Sequence, residues 1–398
     1  MASSRTAEAL RSELARLEQA ELYRRRRVAA WTVELEPNQL VVDGRLCTAF
    51  CSNDYLGLAR DPRVAAAMSR AAAAWGGGSG SAHLVSGHTT EHHALEEELA
   101  RFTGFPRALL FSTGYMANLG LVSTLAGRGD LVVEDRLNHA SLLDASRLSR
   151  ARVRRYAHAD AAHAARRLHD PGFDGRRLIV TDGVFSMDGD EAPLASLADL
   201  AREHGAALLV DDAHGLGVTG GGRGSLSAAG IGTGDVTALV GTLGKAFGTF
   251  GAFVVGDEAL VEALIQRARS YIYTTAPPPA IAAATRTALR IVQDEPWRRD
   301  LLMGRVQQFR AGAEALGLRL APSRTPIQPV IVGDSGAALE ASAQLFEQGI
   351  WVTPIRPPTV PAGSARLRVT LSAAHTEAEV DRLLATMARC TSLCKEPA

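Results

Sequence analysis

The chain has 398 residues, 46% hydrophobic and 22% charged, the ordinary balance of a globular protein of two or three domains. Lys plus Arg and Asp plus Glu are equal at 43 each, so the net charge of +0 makes no electrostatic case for nucleic acid or an anionic membrane. No apolar run reaches the roughly 18 residues of a membrane helix, the opening M-A-S-S-R-T-A-E-A-L lacks a secretory core, and four cysteines are too few for a disulfide scaffold, so a cytoplasmic protein with reduced thiols is expected.

Apolar spacing predicts a helix from Arg5 to about Arg27, ending in the basic run Arg24–Arg27, where a helix C-terminus favours positive charge. Short strands follow at Leu40–Val42 and Leu46–Cys51, completing an N-terminal segment, 1–50. Ser52–Gly57 reads as a polar turn into a short helix, Ala65–Trp75 as a helix, and Gly76–Ser81 as a flexible loop. His88 and His92 stand at i,i+4, but no Glu completes H-E-x-x-H and no third ligand is evident, so no metal is expected. From Arg107 strands and helices alternate. Strands are expected at 108–111, 131–134, 153–156, 178–181, 207–211, 236–240 and 252–255, with helices at 115–125, 139–149, 161–169, 194–204 and 260–270. Such alternation implies a large α/β domain, 51–285, whose mostly parallel sheet is flanked by helices. Helices at 281–292 and 296–316 then lead into a smaller α+β domain, 286–398, with strands at 328–332, 351–355 and 366–371 and helices at 337–348 and 377–390. Cys390 and Cys394 are assigned to that last helix.

Ligands of a parallel sheet sit at the carboxyl ends of its strands, and several polar groups collect there. Lys245 lies just past Val236–Val240 among Gly244, Ala246 and Gly248. A lysine in a tight, partly dry turn loses its proton readily and can attack a carbonyl. The G-x-x-G-K of Gly241–Lys245 is not a P-loop, which needs four residues between the glycines and a Ser or Thr after the lysine. Ser112-Thr113-Gly114-Tyr115 opens a helix and reads equally as a phosphate site or an ordinary N-cap. Asp211-Asp212-Ala213-His214 ends another strand, where a poorly solvated carboxylate wants a cationic partner. As a metal site this D-D-x-H lacks further ligands. Asp182 to Asp188 and His139 fall at neighbouring strand ends. A pyridoxal-phosphate site needs this set: a lysine for the aldehyde, an acid for the ring nitrogen and a helix start for the phosphate.

The stretches C-S-N-D-Y-L-G-L, S-G-H-x-x-x-H-x-A-L-E-x-E-L-A, D-x-L-x-H-A-S-L, D-G-V-F-S-M-D-G-D, V-D-D-A-H-G-x-G and T-x-G-K-x-F-G resemble the α-oxoamine synthases, pyridoxal-phosphate enzymes of fold type I. The likeness runs from about Leu22 through nearly the whole chain. It implies that Lys245 carries the cofactor, Asp211 pairs with the ring nitrogen, and His214 and Ser186 contact the phenolic side. His139 would stack on the ring and shuttle a proton. Gly114 and Tyr115 would bind phosphate through their amides, with Thr242 adding a hydroxyl. Arg368 would clamp the amino-acid carboxylate. Asn53 and His139 would meet the substrate, and Thr359 with one arginine of 24–27, here Arg24, would face the acyl group. Thr274 and Thr275 would reach the phosphate of a partner subunit in a homodimer with shared sites. Ile355–Arg368, I-R-P-P-T-V-P-A-G-S-A-R-L-R, resembles the branch that joins L-alanine to a pimeloyl thioester, on coenzyme A or an acyl carrier protein. Sister branches use glycine. A fold-type-I aminotransferase and a nucleotide-binding module are the remaining rivals. The first predicts a stable amine form of the cofactor, the second a colourless ATP-binding protein.

Overall fold

The structure, a computed structural model, describes residues 5–393. The chain divides into two compact units. One takes in the chain up to Ser52, Met187–Gly189 and the chain from Met303; the other is Asn53–Ser186 with Asp190–Leu302. Where the three-part reading places a boundary at 285/286, contacts place it at 302/303. The helix Pro279–Asp294 packs on the helices Pro62–Trp75 and Thr90–Thr103 and so joins the larger unit.

The larger unit is built on seven strands: β1 (Arg107–Phe111), β2 (Leu131–Asp135), β3 (Arg152–Tyr156), β4 (Arg177–Asp182), β5 (Ala207–Asp211), β6 (Ala238–Thr242) and β7 (Ala252–Gly256). Their order is β1-β7-β6-β5-β4-β2-β3, and only β7 runs antiparallel to its neighbours. The mostly parallel α/β expectation holds. Leu109, Val132, Val180, Leu209, Val240 and Val254 pack with Leu121, Val122 and Leu264 of the covering helices into one dry core. The apolar run of β5, Leu208-Leu209-Val210, stops at two aspartates: Asp211 is the strand's last residue and Asp212 follows it.

In the smaller unit Ile327–Gly333, Ala365–Thr370 and Thr353–Ile355 form an antiparallel sheet with the helix Ser335–Glu347 against it. A four-stranded sheet joins Ala29–Ala30, Gln39–Val42, Arg45–Ala49 and Ile350–Trp351.

Several local expectations change. The first helix is Arg5–Gln19, not Arg5–Arg27, because Glu21 takes a left-handed φ of 57° and breaks it. The arginine run therefore lies beyond the helix and gains nothing from its dipole. No helix forms at Ser52–Gly57; Asp54 instead accepts the amides of Leu58 (2.8 Å) and Ala59 (3.0 Å), across a turn in which Gly57 takes φ 68°. β6 begins two residues later than expected and ends at Thr242. The helix expected at 260–270 is two, Glu258–Arg267 and Arg269–Ile272. The last helix stops at Met387, leaving Cys390 buried beyond it, and Cys394 lies outside the described residues. The helix Thr90–Thr103 goes beyond the sequence reading, which follows the histidines there and passes over its inward Leu95 and Leu99.

Candidate active site

The lysine turn is shaped by close backbone approach. Gly248 sits at φ 65°, and a Cβ there would meet the amide nitrogen of Ala59 at 2.3 Å. Lys245, half-buried, places Nζ 2.9 Å from His214 Nε2. His214 Nδ1 in turn lies 2.6 Å from the Tyr55 hydroxyl, which also reaches Asn53 Oδ1 at 3.4 Å. So Lys245, His214, Tyr55 and Asn53 form one hydrogen-bonded chain. Tyr55 and His214 are both buried, which makes each bond in that chain worth more than it would be in water.

Asp211 is buried beside it. One oxygen accepts from Asn118 Nδ2 at 2.6 Å, the other from the Ala213 amide at 3.0 Å. Neither donor carries a charge. Asn118 stands one helical turn beyond Gly114 on the helix Gly114–Leu125, and its Nδ2 also donates to Ser141 Oγ at 2.8 Å. Asp212 points elsewhere. It takes the amide and hydroxyl of Ser225 at 2.8 and 2.5 Å, and burial pushes its carboxyl up to about 7 despite those bonds.

His139 caps the helix Ala140–Ser149. Its Nδ1 lies 2.7 Å from Ser141 Oγ, and its backbone N–H donates to Asp182 Oδ2 at 2.7 Å. Desolvation lowers the His139 pKa, Asp211 acts against that shift, and Lys245 adds to it, which favours the uncharged imidazole. Burial and nearby Asp211 hold the Asp182 carboxyl well above the usual range. The Tyr115 ring stands edge-on to His139, centroids 6.4 Å apart, with its hydroxyl on Asp144.

At the helix start Thr113 Oγ1 accepts the Met116 amide at 3.2 Å, as an N-cap should, and nothing lies within 4 Å of a Cβ built on Gly114. The N-cap exists, and the side of Gly114 on which a Cβ would project is open. The Thr242 hydroxyl donates to the Gly251 carbonyl at 3.2 Å. The Thr274 hydroxyl donates to the Ser270 carbonyl at 2.7 Å, while the Thr275 carbonyl accepts from Ser112 Oγ at 3.4 Å. Ser186 is half-buried in the turn after β4.

Three expected residues belong to the smaller unit. Arg24 Nη2 donates to Thr359 Oγ1 at 3.4 Å, and both line a cleft of about 710 Å³ with Tyr23, Arg356 and Trp351. Arg368 is buried on Ala365–Thr370 and donates to Thr370 Oγ1 at 2.9 Å. Thus the fold gathers Lys245, His214, Asn53, Asp211 and His139 in one unit, and Arg24 with Thr359 in the other. Sequence reasoning missed Tyr55, Asn118 and Ser141. The i,i+4 offset of Asn118 from Gly114 was the one available signal.

Residues 46–387 match the family model described as aminotransferase class I and II. The chain is 60% identical over 381 residues to an 8-amino-7-oxononanoate synthase of Thioalkalivibrio sulfidiphilus, covering 96% of each. A high-resolution structure of SPT with a PLP internal aldimine superposes with a TM-score of 0.91 at 33% identity, over 96% of each chain. The 8-amino-7-oxononanoate synthase of Francisella tularensis superposes with a TM-score of 0.75 at 33% identity, over 86% of this chain and 97% of that one. The half-buried Lys245, the buried Asp211 and His214, and His139 near the carboxyl edge of a type I sheet agree with these likenesses, and the chain belongs to the aminotransferase class I and II family and, within it, to the 8-amino-7-oxononanoate synthases.

Proposed function

We propose that this chain joins L-alanine to a pimeloyl thioester, releasing carbon dioxide and the thiol carrier and yielding 8-amino-7-oxononanoate for biotin synthesis. The observation that carries this reading is Lys245 Nζ at 2.9 Å from His214, at the sheet edge that also holds Asp211, in a chain whose relatives at 60% identity bear that name.

The residues present fit pyridoxal phosphate. Asp211 is a buried carboxylate held only by neutral donors among its recorded bonds, which suits a protonated ring nitrogen. The helix start at Gly114, capped by Thr113, suits a phosphate. When bound, the cofactor offers an aldehyde to an amine and a ring that accepts the electron pair left at the substrate's α-carbon.

The chain's own groups do the rest. Lys245 would hold the cofactor, and its Nζ would take the α-proton of alanine. His214 fixes Nζ from one side and is itself fixed by Tyr55. His139, neutral, covers the ring and moves a proton at the substrate. Ser186 and His214 face the ring's phenolic oxygen, while Gly114, Tyr115 and Thr242 hold the phosphate. Arg368 would clamp the alanine carboxylate, Asn53 would meet the substrate, and Arg24 and Thr359 would line the acyl path. Asp211 keeps the ring nitrogen protonated, so that loss of the α-proton and then of carbon dioxide is eased. Two copies share their sites, with Thr274 and Thr275 reaching across. The donor is pimeloyl coenzyme A or pimeloyl carrier protein, and the compartment is the cytoplasm. No helix of the described residues is long and apolar enough to cross a membrane.

Thiol and carbon dioxide release from a pimeloyl thioester tests this, with L-alanine against glycine. Faster turnover with alanine is expected. Preference for glycine would reassign the product, and absence of thiol release would end the reading.

A further inference from the structure

A second cluster of ligating side chains lies away from the lysine. His88 precedes the helix Thr90–Thr103, and His93 and Glu96 lie one turn apart on it. One ligand atom from each of these three residues falls within 4.8 Å of the others. His88 Nε2 stands 3.9 Å from Glu96 Oε2. The three line a cavity of about 290 Å³ with His83, Glu97 and Tyr271.

We propose that His88, His93 and Glu96 form a binding site for a divalent transition ion of the zinc class, empty in this structure. Two imidazoles and one carboxylate are the donors such an ion prefers, with a fourth place left for water or Glu97. Bond lengths of about 2.0–2.2 Å put tetrahedral ligand atoms about 3.4 Å apart. The 3.9 Å between His88 and Glu96, and separations of up to 4.8 Å within the trio, would have to shorten toward that value on binding. His93 is exposed and free to turn from its contact with Glu97, at 3.4 Å.

Supporting groups orient the ligands. His88 Nδ1 lies 3.0 Å from His83 Nδ1, so a proton on His88 Nδ1 leaves its Nε2 as the lone-pair donor. His83 is buried, stacked on Tyr271 at 5.1 Å. Glu96 Oε1 accepts the Leu110 amide at 2.9 Å, which fixes the carboxylate and leaves Oε2 facing the imidazoles. The competing description is a surface His93–Glu97 pair on one helix face. It leaves the orientation of His88 and Glu96 without a purpose.

Zinc binding by the cofactor-loaded enzyme, followed by competition with a chromophoric chelator, tests the site. One equivalent is expected. H93Q and E96Q should each weaken it by about 100-fold or more, beyond the 10–100-fold typical of an outer-shell partner. H169Q, an exposed histidine elsewhere, should leave it unchanged. H93Q alters an exposed side chain and should keep alanine turnover, which shows that it is folded. No zinc uptake by the unaltered enzyme, or undiminished uptake by H93Q, overturns the proposal.

Discussion

Asn118 Nδ2 donates to Asp211 Oδ2 across 2.6 Å, and the same nitrogen reaches Ser141, which lies 2.7 Å from His139 Nδ1. One buried amide therefore sets the position of the acid and, through Ser141, of the histidine. A hydrogen bond to a charged group is worth about 1.5–3 kcal/mol. Asn118→Ala should cost about 10–100-fold in turnover or in pyridoxal-phosphate retention. An unaltered visible spectrum and turnover number in N118A would show that Asp211 needs no such support.

The Tyr55 hydroxyl, 2.6 Å from His214, is the far end of the chain that reaches Lys245. Tyr55→Phe removes one bond and little volume. A loss of about 1–3 kcal/mol, or roughly 5–100-fold in kcat, is expected, with alanine KM nearly constant. Steady-state kinetics with both substrates checks this, and a change confined to KM would contradict it.

His158 is held between Asp135 at 3.1 Å and Asp190 at 2.7 Å. Burial acts against its charge, but the two carboxylates outweigh burial and raise it to about 10. A histidine whose folded pKa exceeds its unfolded value of about 6.5 stabilises fully below that value. The contribution fades as pH rises through about 10. His158→Ala should therefore lower the Tm most at pH 6 to 7, and the gap to the unaltered protein should narrow toward pH 10. Thermal melts across that range decide it; a gap that widens with pH would refute the assignment.

Gly248 and Gly304 make opposite cases. A Cβ on Gly248 strikes backbone at 2.3 Å where φ is 65°, whereas one on Gly304, exposed in the helix Trp297–Ala315, meets nothing. Gly248→Ala should destabilise the lysine turn and depress activity. Gly304→Ala should raise stability by about 0.5–1 kcal/mol with activity unchanged. Denaturant midpoints distinguish the two, and equal effects would sink the argument.

Thr359 meets Arg24 across 3.4 Å in the cleft of the smaller unit. Thr359→Ala should raise the thioester KM by about 3–10-fold, the worth of one such bond, and leave alanine KM alone. A shift in alanine KM instead would remove Thr359 from the acyl path.

Much of this was legible in the chain itself. Period-two and period-3.6 patterns located the strands that end at Asp211 and near Lys245, because apolar burial writes its own spacing into a sequence. Lys245, Asp211, His139 and His214 stood out because their chemistry has few other uses at strand ends. Boundaries were less legible. Glu21 ends the first helix by a backbone angle that no residue pattern announces, and Thr242 became a strand end only through pairing with β7. The pairings that tune the site were not legible at all. Asn118 and Asp211 are 93 residues apart, and Tyr55 and His214 are 159 apart. Separations of that size carry no local signal. Sequence alone thus located most of the elements and the strand ends at which the proposed site residues stand. Which neutral side chain holds the acid, which hydroxyl holds the histidine, and that His92 is buried while His93 stays on the open helix face were decided only by packing.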